Sequence, residues 1–251
     1  MVTRVERRTI AVDGEGMAGA MLSPRARIPG VLFVHGWGGS QRRDLGRARG
    51  IAGLGCICLT FDLRGHGDAA AQQATVTRGD NLEDVLAAYD CLLANPEVDP
   101  QAVGVVGTSY GGYLGALLSS LRPVHWLALR VPALYRDSHW QTPKGQLDRA
   151  DLAHYRSRLV PAQENRALRA CLAFTGDVLL VESEHDRHVP HATIMSYRAA
   201  FRHAHSMTHR IIDGADHALR DEDAQRAYSS ILLSWITEMV VGKRLSITDA
   251  L

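Results

Sequence analysis

The 251-residue chain has little that would commit it to a special environment. No stretch approaches the roughly 18 consecutive apolar residues that a membrane-spanning helix needs. The first residues, MVTRVERRTIAVDG, hold no apolar run of the kind a secretory leader requires, so a cytoplasmic location is expected. Neither sign of charge dominates: 28 Lys and Arg stand against 27 Asp and Glu, a formal balance of +1. That leaves no basic field for a nucleic acid and no reason to expect a membrane partner. Cysteine is scarce as well, with Cys56, Cys58, Cys91 and Cys171 the full set. Cys56 and Cys58 lie two apart in an apolar run, where both face the same side of a strand. They read as buried thiols and not as a metal knuckle or redox pair. Internal repeats and low-complexity segments are missing too.

What is present is an alternation. RVERRTIAV, the turn DGEG and MAGAMLSP read as an N-terminal hairpin. GVLFVHG is a short continuous apolar run, as expected of a strand covered on both faces. A helix follows through QRRDLGRARGIAGLG, then a buried strand in CICLTFDLRGHG. DNLEDVLAAYDCLLANP places Leu82, Val85, Leu86, Tyr89, Leu92 and Leu93 on one helical stripe. AVGVVG, VHWLALRVP, DVLLVESEHD and MTHRIIDGADH read as further strands. YGGYLGALLSSL, HATIMSYRAAFRHA and residues 221–241 read as helices. Strand and helix alternating in this way predict one α/β domain over 1–251, with a mostly parallel central sheet of about eight strands and helices on both faces. About 45 residues, 133–176, contain no strand. A structureless loop of that length is unexpected in a compact domain, so a small helical insertion over one end of the sheet is predicted there.

Ligands in open α/β sheets bind beyond the carboxyl ends of the strands. His35-Gly36-Trp37-Gly38-Gly39, Asp62-Leu63-Arg64-Gly65-His66-Gly67, Ser109, Asp186 and His217 all follow predicted strands. A serine, an acid and a histidine thus share one rim. Gly107-Thr108-Ser109-Tyr110-Gly111, with a strand before it and a helix after, resembles the G-x-S-x-G nucleophile elbow of the α/β-hydrolases. The chain order Ser, acid, His is also that superfamily's order. His35-Gly36 resembles its oxyanion loop, and Asp62-x-Arg64-Gly65-His66-Gly67 resembles a loop of its esterase and peptidase-like members. The Ser-Tyr-Gly-Gly form is most similar to the dienelactone-hydrolase, acyl-peptidase and feruloyl-esterase-like branches. The resemblance covers nearly the whole chain.

The resemblance implies a serine hydrolase. Ser109 would be the nucleophile, His217 its base and Asp186 the acceptor that orients His217. The backbone N–H groups of Trp37 and Tyr110 would receive the developing oxyanion, supported by the loop residues His35 and Gly36. Gly107 and Gly111 would let strand and helix pack closely, where a Cβ would collide. The plainer readings are a serine in a tight turn and one surface histidine among 12. Glu182, Glu184 and Asp177 compete with Asp186 as the acid. Asp62 and Arg64 read as residues that pin their loop. His185, His188 and His191 span a proline-containing loop without a cysteine companion, so no metal site is expected, and the reaction calls for no cofactor. The expected partner is a small-molecule ester, with peptidase, amidase and thioesterase chemistry open on the same triad, and a non-catalytic binding protein of the same fold as the rival class. In the insertion, Leu134, Tyr135, Trp140, Leu147, Leu152 and Tyr155 suggest a modest hydrophobic pocket. Arg136, Arg149, Arg156 and Arg158 read as solvated helix faces more readily than as an anion site. A monomer and a homodimer are both compatible with the closing stretch GKRLSITDAL.

Overall fold

The apolar strands pack exactly two layers of helices because each of them divides its side chains between two cores. In the computed structural model, which describes residues 3–12, 15–24 and 27–248, Ile28–Val34 forms β3, and its Leu32 and Val34 face one core while Val31 and Phe33 face the other. The same period-two division runs along β6 (Trp126–Arg130) and β7 (Asp177–Ser183). The first core is closed by α2 (Arg78–Leu93), α3 (Tyr110–Leu118), α5 (Arg166–Ala173) and α6 (His191–Ala200). The second is closed by α1 (Arg42–Ala52) and α7 (Glu222–Thr248). With β4 (Ile57–Thr60), β5 (Val98–Thr108) and β8 (Ser206–Ile212), the strands order as β4-β3-β5-β6-β7-β8, parallel throughout.

This sheet has six strands and not the expected eight or so. The hairpin, β1 (Thr3–Val12) and β2 (Glu15–Pro24), forms a separate two-stranded antiparallel sheet. Its predicted turn falls partly on residues 13–14, outside the described residues. The closing helix runs further than expected, to Thr248, which takes up most of the predicted tail; residues 249–251 lie outside the described ones. None of the four cysteines is in a disulfide; Cys56 and Cys171 are buried, Cys58 is half-buried and Cys91 is exposed.

The stretch 133–176 holds α4 (Arg149–Arg156), α5 and three short 3-10 turns. Its apolar side chains join the first core: Leu134, Tyr135 and Tyr155 are buried in it, and Trp140, Leu147 and Leu152 pack against it, Trp140 also lining a cavity of about 350 Å³ with Leu82, Leu117 and Leu121. Asn165 anchors the segment. Its Oδ1 accepts from the Ala167 and Leu168 amides at 3.0 and 3.3 Å, capping α5, and its Nδ2 donates to Tyr135 O at 2.7 Å. The residue is fully buried. Asn165→Ala strands these groups away from water, so an unfolding free energy lower by about 2–3 kcal/mol is expected from urea titration.

The chain runs outward from β3 to β4, then crosses back to β5 and continues the other way. That reversal opens a crevice between β3 and β5 at their carboxyl ends, where the loop after β3 and the turn after β5 meet.

Candidate active site

Ser109 occupies the corner between β5 and α3. Its φ of 53° and ψ of −112° are costly for a residue with a Cβ. The corner is held from both sides: Ser109 N–H donates to Arg130 O at 2.9 Å, and Ser109 O accepts from Ala133 N–H at the same distance. Tight packing makes the glycines around it obligatory. A Cβ on Gly107 would stand 2.6 Å from Gly111 O, and one on Gly111 would stand 2.0 Å from Val34 O. Gly36, in the loop after β3, lies against the Ser109 corner, its own virtual Cβ 3.4 Å from that of Ser109.

β7 and β8 are neighbours, so the loops that follow them run side by side, joined by His185 N–H to Ala215 O at 2.9 Å. This brings Asp186 and His217 together. Asp186 Oδ2 lies 2.6 Å from His217 Nδ1, and His217 Nε2 lies 3.0 Å from Ser109 Oγ. With its proton on Nδ1, the ring donates to Asp186 and accepts from the serine hydroxyl. The other carboxylate oxygen accepts from the amides of His188 and Val189 at 2.7 and 2.8 Å. Burial pushes the Asp186 carboxyl up, but His217 and these two amides outweigh it and hold it below the usual carboxylate range. Arg130 Nη2 donates to His217 O at 2.9 Å and so fixes the backbone of the histidine loop.

The three competing acids are engaged elsewhere. Glu182 Oε1 meets His191 Nδ1 at 2.7 Å, Glu184 accepts from Gly214 N–H at 2.7 Å, and Asp177 accepts from Ser206 Oγ at 2.6 Å. Of the loop histidines, His188 packs its ring 5.0 Å from that of His217, while His185 lies near Glu184. Among the described residues, no three His, Cys, Asp or Glu side chains gather as a ligand set for a metal.

Trp37 and Tyr110 converge at the corner. Their rings meet edge-on at 5.5 Å between centroids, and Trp37 also meets His66 at 4.7 Å. Tyr110 opens α3, so its N–H has no acceptor within the helix. His35 is buried and bridges two loops: Nδ1 lies 2.8 Å from Gly36 O, and Nε2 accepts from Leu63 N–H at 3.1 Å. Asp62 accepts from Gln41 N–H at 2.7 Å, and Arg64 is tied to Asp84, Asp80 and Glu83. Both pin their loop.

A residue the sequence did not single out sits on this group. Lys144 Nζ, from the insertion, lies 4.0 Å from the Trp37 ring centroid, 5.4 Å from that of Tyr110 and 5.8 Å from that of Tyr135. Burial, with Arg156, Arg149 and Arg78 nearby, pushes its pKa down to about 7. The electron-rich ring faces offset part of that cost. Of the insertion's arginines, Arg149 and Arg158 are exposed, the latter pairing with Glu164 at 3.1 Å, while Arg136 pairs with Asp151 at 3.0 Å and Arg156 Nε donates to Leu134 O at 2.9 Å. A cavity of about 560 Å³ opens at Ser109 and His217, walled by Trp37, α1 and the histidine loop. The insertion's apolar residues do not line it.

This fold, with a strained serine elbow at the switch point of a parallel sheet, is that of an α/β-hydrolase. The chain belongs to the prolyl oligopeptidase family, which it matches over residues 46–243. It is 22% identical over 214 residues to the probable dipeptidyl-aminopeptidase B of Sordaria macrospora, covering 79% of this chain and 22% of that protein. It is 35% identical over 86 residues to the quorum-quenching protein AidA of Acinetobacter baumannii, covering 34% of this chain and 28% of that one. The matches thus span about a quarter of the length of these relatives. Among solved structures, it is similar to LipS and LipT, metagenome-derived lipolytic enzymes, with a TM-score of 0.65 at 20% identity, covering 85% of this chain and 94% of that one. It is similar also to a dienelactone hydrolase from Anabaena variabilis, with a TM-score of 0.60 at 21% identity, covering 94% and 98%. Among the described residues, no helix is long and apolar enough to cross a membrane.

Proposed function

We propose that the protein cleaves carboxylic esters of small acyl groups through an acyl-enzyme on Ser109. The reading is carried by the Ser109 Oγ–His217 Nε2–Asp186 relay, with its 3.0 and 2.6 Å separations. Ser109 Oγ attacks the ester carbonyl as His217 Nε2 takes the hydroxyl proton. The N–H groups of Trp37 and Tyr110 receive the oxyanion, and His217 returns the proton to the departing alkoxide. Water, deprotonated by the same ring, then releases the acid and restores Ser109. Asp186 holds the imidazole in the Nδ1–H tautomer and offsets its charge when it becomes imidazolium.

The cavity supports short acyl groups. Its wall carries guanidinium groups from α1 beside Trp37, Ala218 and Leu219, which suits no long alkyl chain. Lys144, from the insertion at 133–176, lies over the ring of Trp37, itself a wall of the cavity. A fluorophosphonate probe tests the relay: wild type should label and Ser109→Ala should not, while p-nitrophenyl acetate and butyrate are hydrolysed faster than the decanoate. Unlabelled, folded wild type would refute the reading, and faster decanoate turnover would refute the short-chain preference.

Family membership favours a second reading, cleavage of peptide or aminoacyl amides by the same groups. Aminoacyl p-nitroanilides turned over faster than matched esters would establish it.

A further inference from the structure

The cavity at Ser109 is walled by positive charge from three separate elements. Arg43 and Arg47 project into it from α1, four residues apart and so on one helical face. Arg130 enters from the end of β6, and Arg220 from the loop after β8. Against these four guanidinium groups stand two carboxylates. Asp44 Oδ1 lies 3.6 Å from Arg47 Nη1, and Asp216 Oδ2 lies 3.2 Å from Arg220 Nη1.

Arg47 and Arg130 are not surface charges that drifted over a hole. Both guanidinium groups lie over the buried ring of Tyr228, at 4.8 and 5.4 Å from its centroid. Arg130 is 5% exposed and is spent on the Ser183 hydroxyl and the His217 carbonyl. Arg47 is half-buried; its Nη1 donates to Arg43 O at 3.2 Å, and its Nε is shielded from water. Arg43 and Arg47 both line the cavity, and guanidinium N–H groups along such a wall suit an oxyanion. Asp44 is itself buried in this wall. It leaves room for one further negative charge beside Arg47 and Arg43 and opposes a dianion.

We propose that this wall is a carboxylate subsite, so that the substrate is a small ester or amide carrying a free carboxylate a few bonds from the scissile carbonyl, bound by Arg47 and Arg43. The proposal rests on Ser109 as the nucleophile for its placement beside the reacting bond. The binding itself needs no turnover.

Matched pairs test it. p-Nitrophenyl hydrogen glutarate and p-nitrophenyl valerate have the same reach and differ in a terminal carboxylate; p-acetoxybenzoate and phenyl acetate move that group to the leaving side. In at least one pair, kcat/KM should favour the anion by about 10-fold to 100-fold, the value of a charge-assisted hydrogen bond in a partly dry site. Arg47→Met should reduce that ratio at least about fivefold, and Arg47→Lys should restore part of it. Ratios near one in both pairs, or both partners of a pair falling equally in Arg47→Met, would overturn the proposal.

Calorimetry on Ser109→Ala separates the two readings. Glutarate monoamide should bind more tightly than glutaramide, and phenyl phosphate more weakly than benzoate. If wild type neither labels nor turns over ester, the hydrolytic reading fails while carboxylate binding still supports the subsite. If ester is cleaved and carboxylate does not bind, the subsite alone fails. Tighter binding of the phosphate would overturn the assignment to a carboxylate.

Discussion

Asp186→Asn is expected to lower kcat by about three to four orders of magnitude without unfolding the protein. The reason is the tautomer. Asp186 Oδ2 stands 2.6 Å from His217 Nδ1 and can only accept there. An asparagine in the same place can turn its NH₂ toward the ring, which favours the proton on Nε2. That nitrogen would then donate toward Ser109 Oγ, 3.0 Å away, when catalysis needs it to accept. The amides of His188 and Val189 can still be satisfied by the amide oxygen, so the loop should keep its shape. Glu184→Gln is the control, because Glu184 serves the Gly214 amide and not the relay; its kcat should stay within about twofold of wild type. Equal losses in the two variants would mean that the acid is misassigned. A second readout follows from linkage. The folded-state pKa of Asp186 is depressed, so its contribution to stability is present above the unfolded value of about 4 and is lost as pH falls through the lower folded value. The melting temperatures of wild type and Asp186→Asn should therefore differ most above about pH 4 and converge in stronger acid.

The convergence of Ser109, Asp186 and His217 was legible in the sequence because each follows a strong local signal. Ser109 lies between glycines at a strand-to-helix corner, and Asp186 and His217 lie just beyond apolar strands, so the order of the elements delivers all three to one rim. Strand membership was less legible. β1 and β2 alternate as strands do, but pairing with one another satisfies their backbones, and nothing local says whether such a hairpin also joins the main sheet. The walls of the site were least legible. Lys144 reaches Trp37 across more than a hundred residues of sequence, and Tyr135 and Tyr155 turned into the core instead of bounding the cavity at Ser109. Arg130 did leave a signal, as the one charge that ends the otherwise apolar strand WLALR. A buried strand seldom ends on an unpaired cation without a task, and here it holds the His217 loop and faces the cavity. Arg43 and Arg47 left none, since an arginine-rich first helix reads as a solvated one.

Gly111→Ala is expected to destabilise the protein by about 3 kcal/mol or more, at or beyond the upper range for an added methyl in a packed interior. The added Cβ would stand 2.0 Å from Val34 O and 2.6 Å from His35 O. Both are main-chain atoms at the end of a central strand, so no side chain can swing aside. Relief requires α3 to lift off β3, and that movement separates Ser109 from the Gly36 loop, now in contact with it. The variant should therefore lose activity in proportion greater than its loss of folded fraction, and its melting temperature should fall by about 10 °C. Gly46→Ala gives the opposite sign under the same chemistry. Gly46 lies inside α1 with nothing within 4 Å of its virtual Cβ. Alanine there removes freedom only from the unfolded chain and should add about 0.5–1 kcal/mol. If both substitutions shifted the melting temperature alike, the close seating of α3 on β3 would be wrong, and with it the geometry that lifts Ser109 into the crevice.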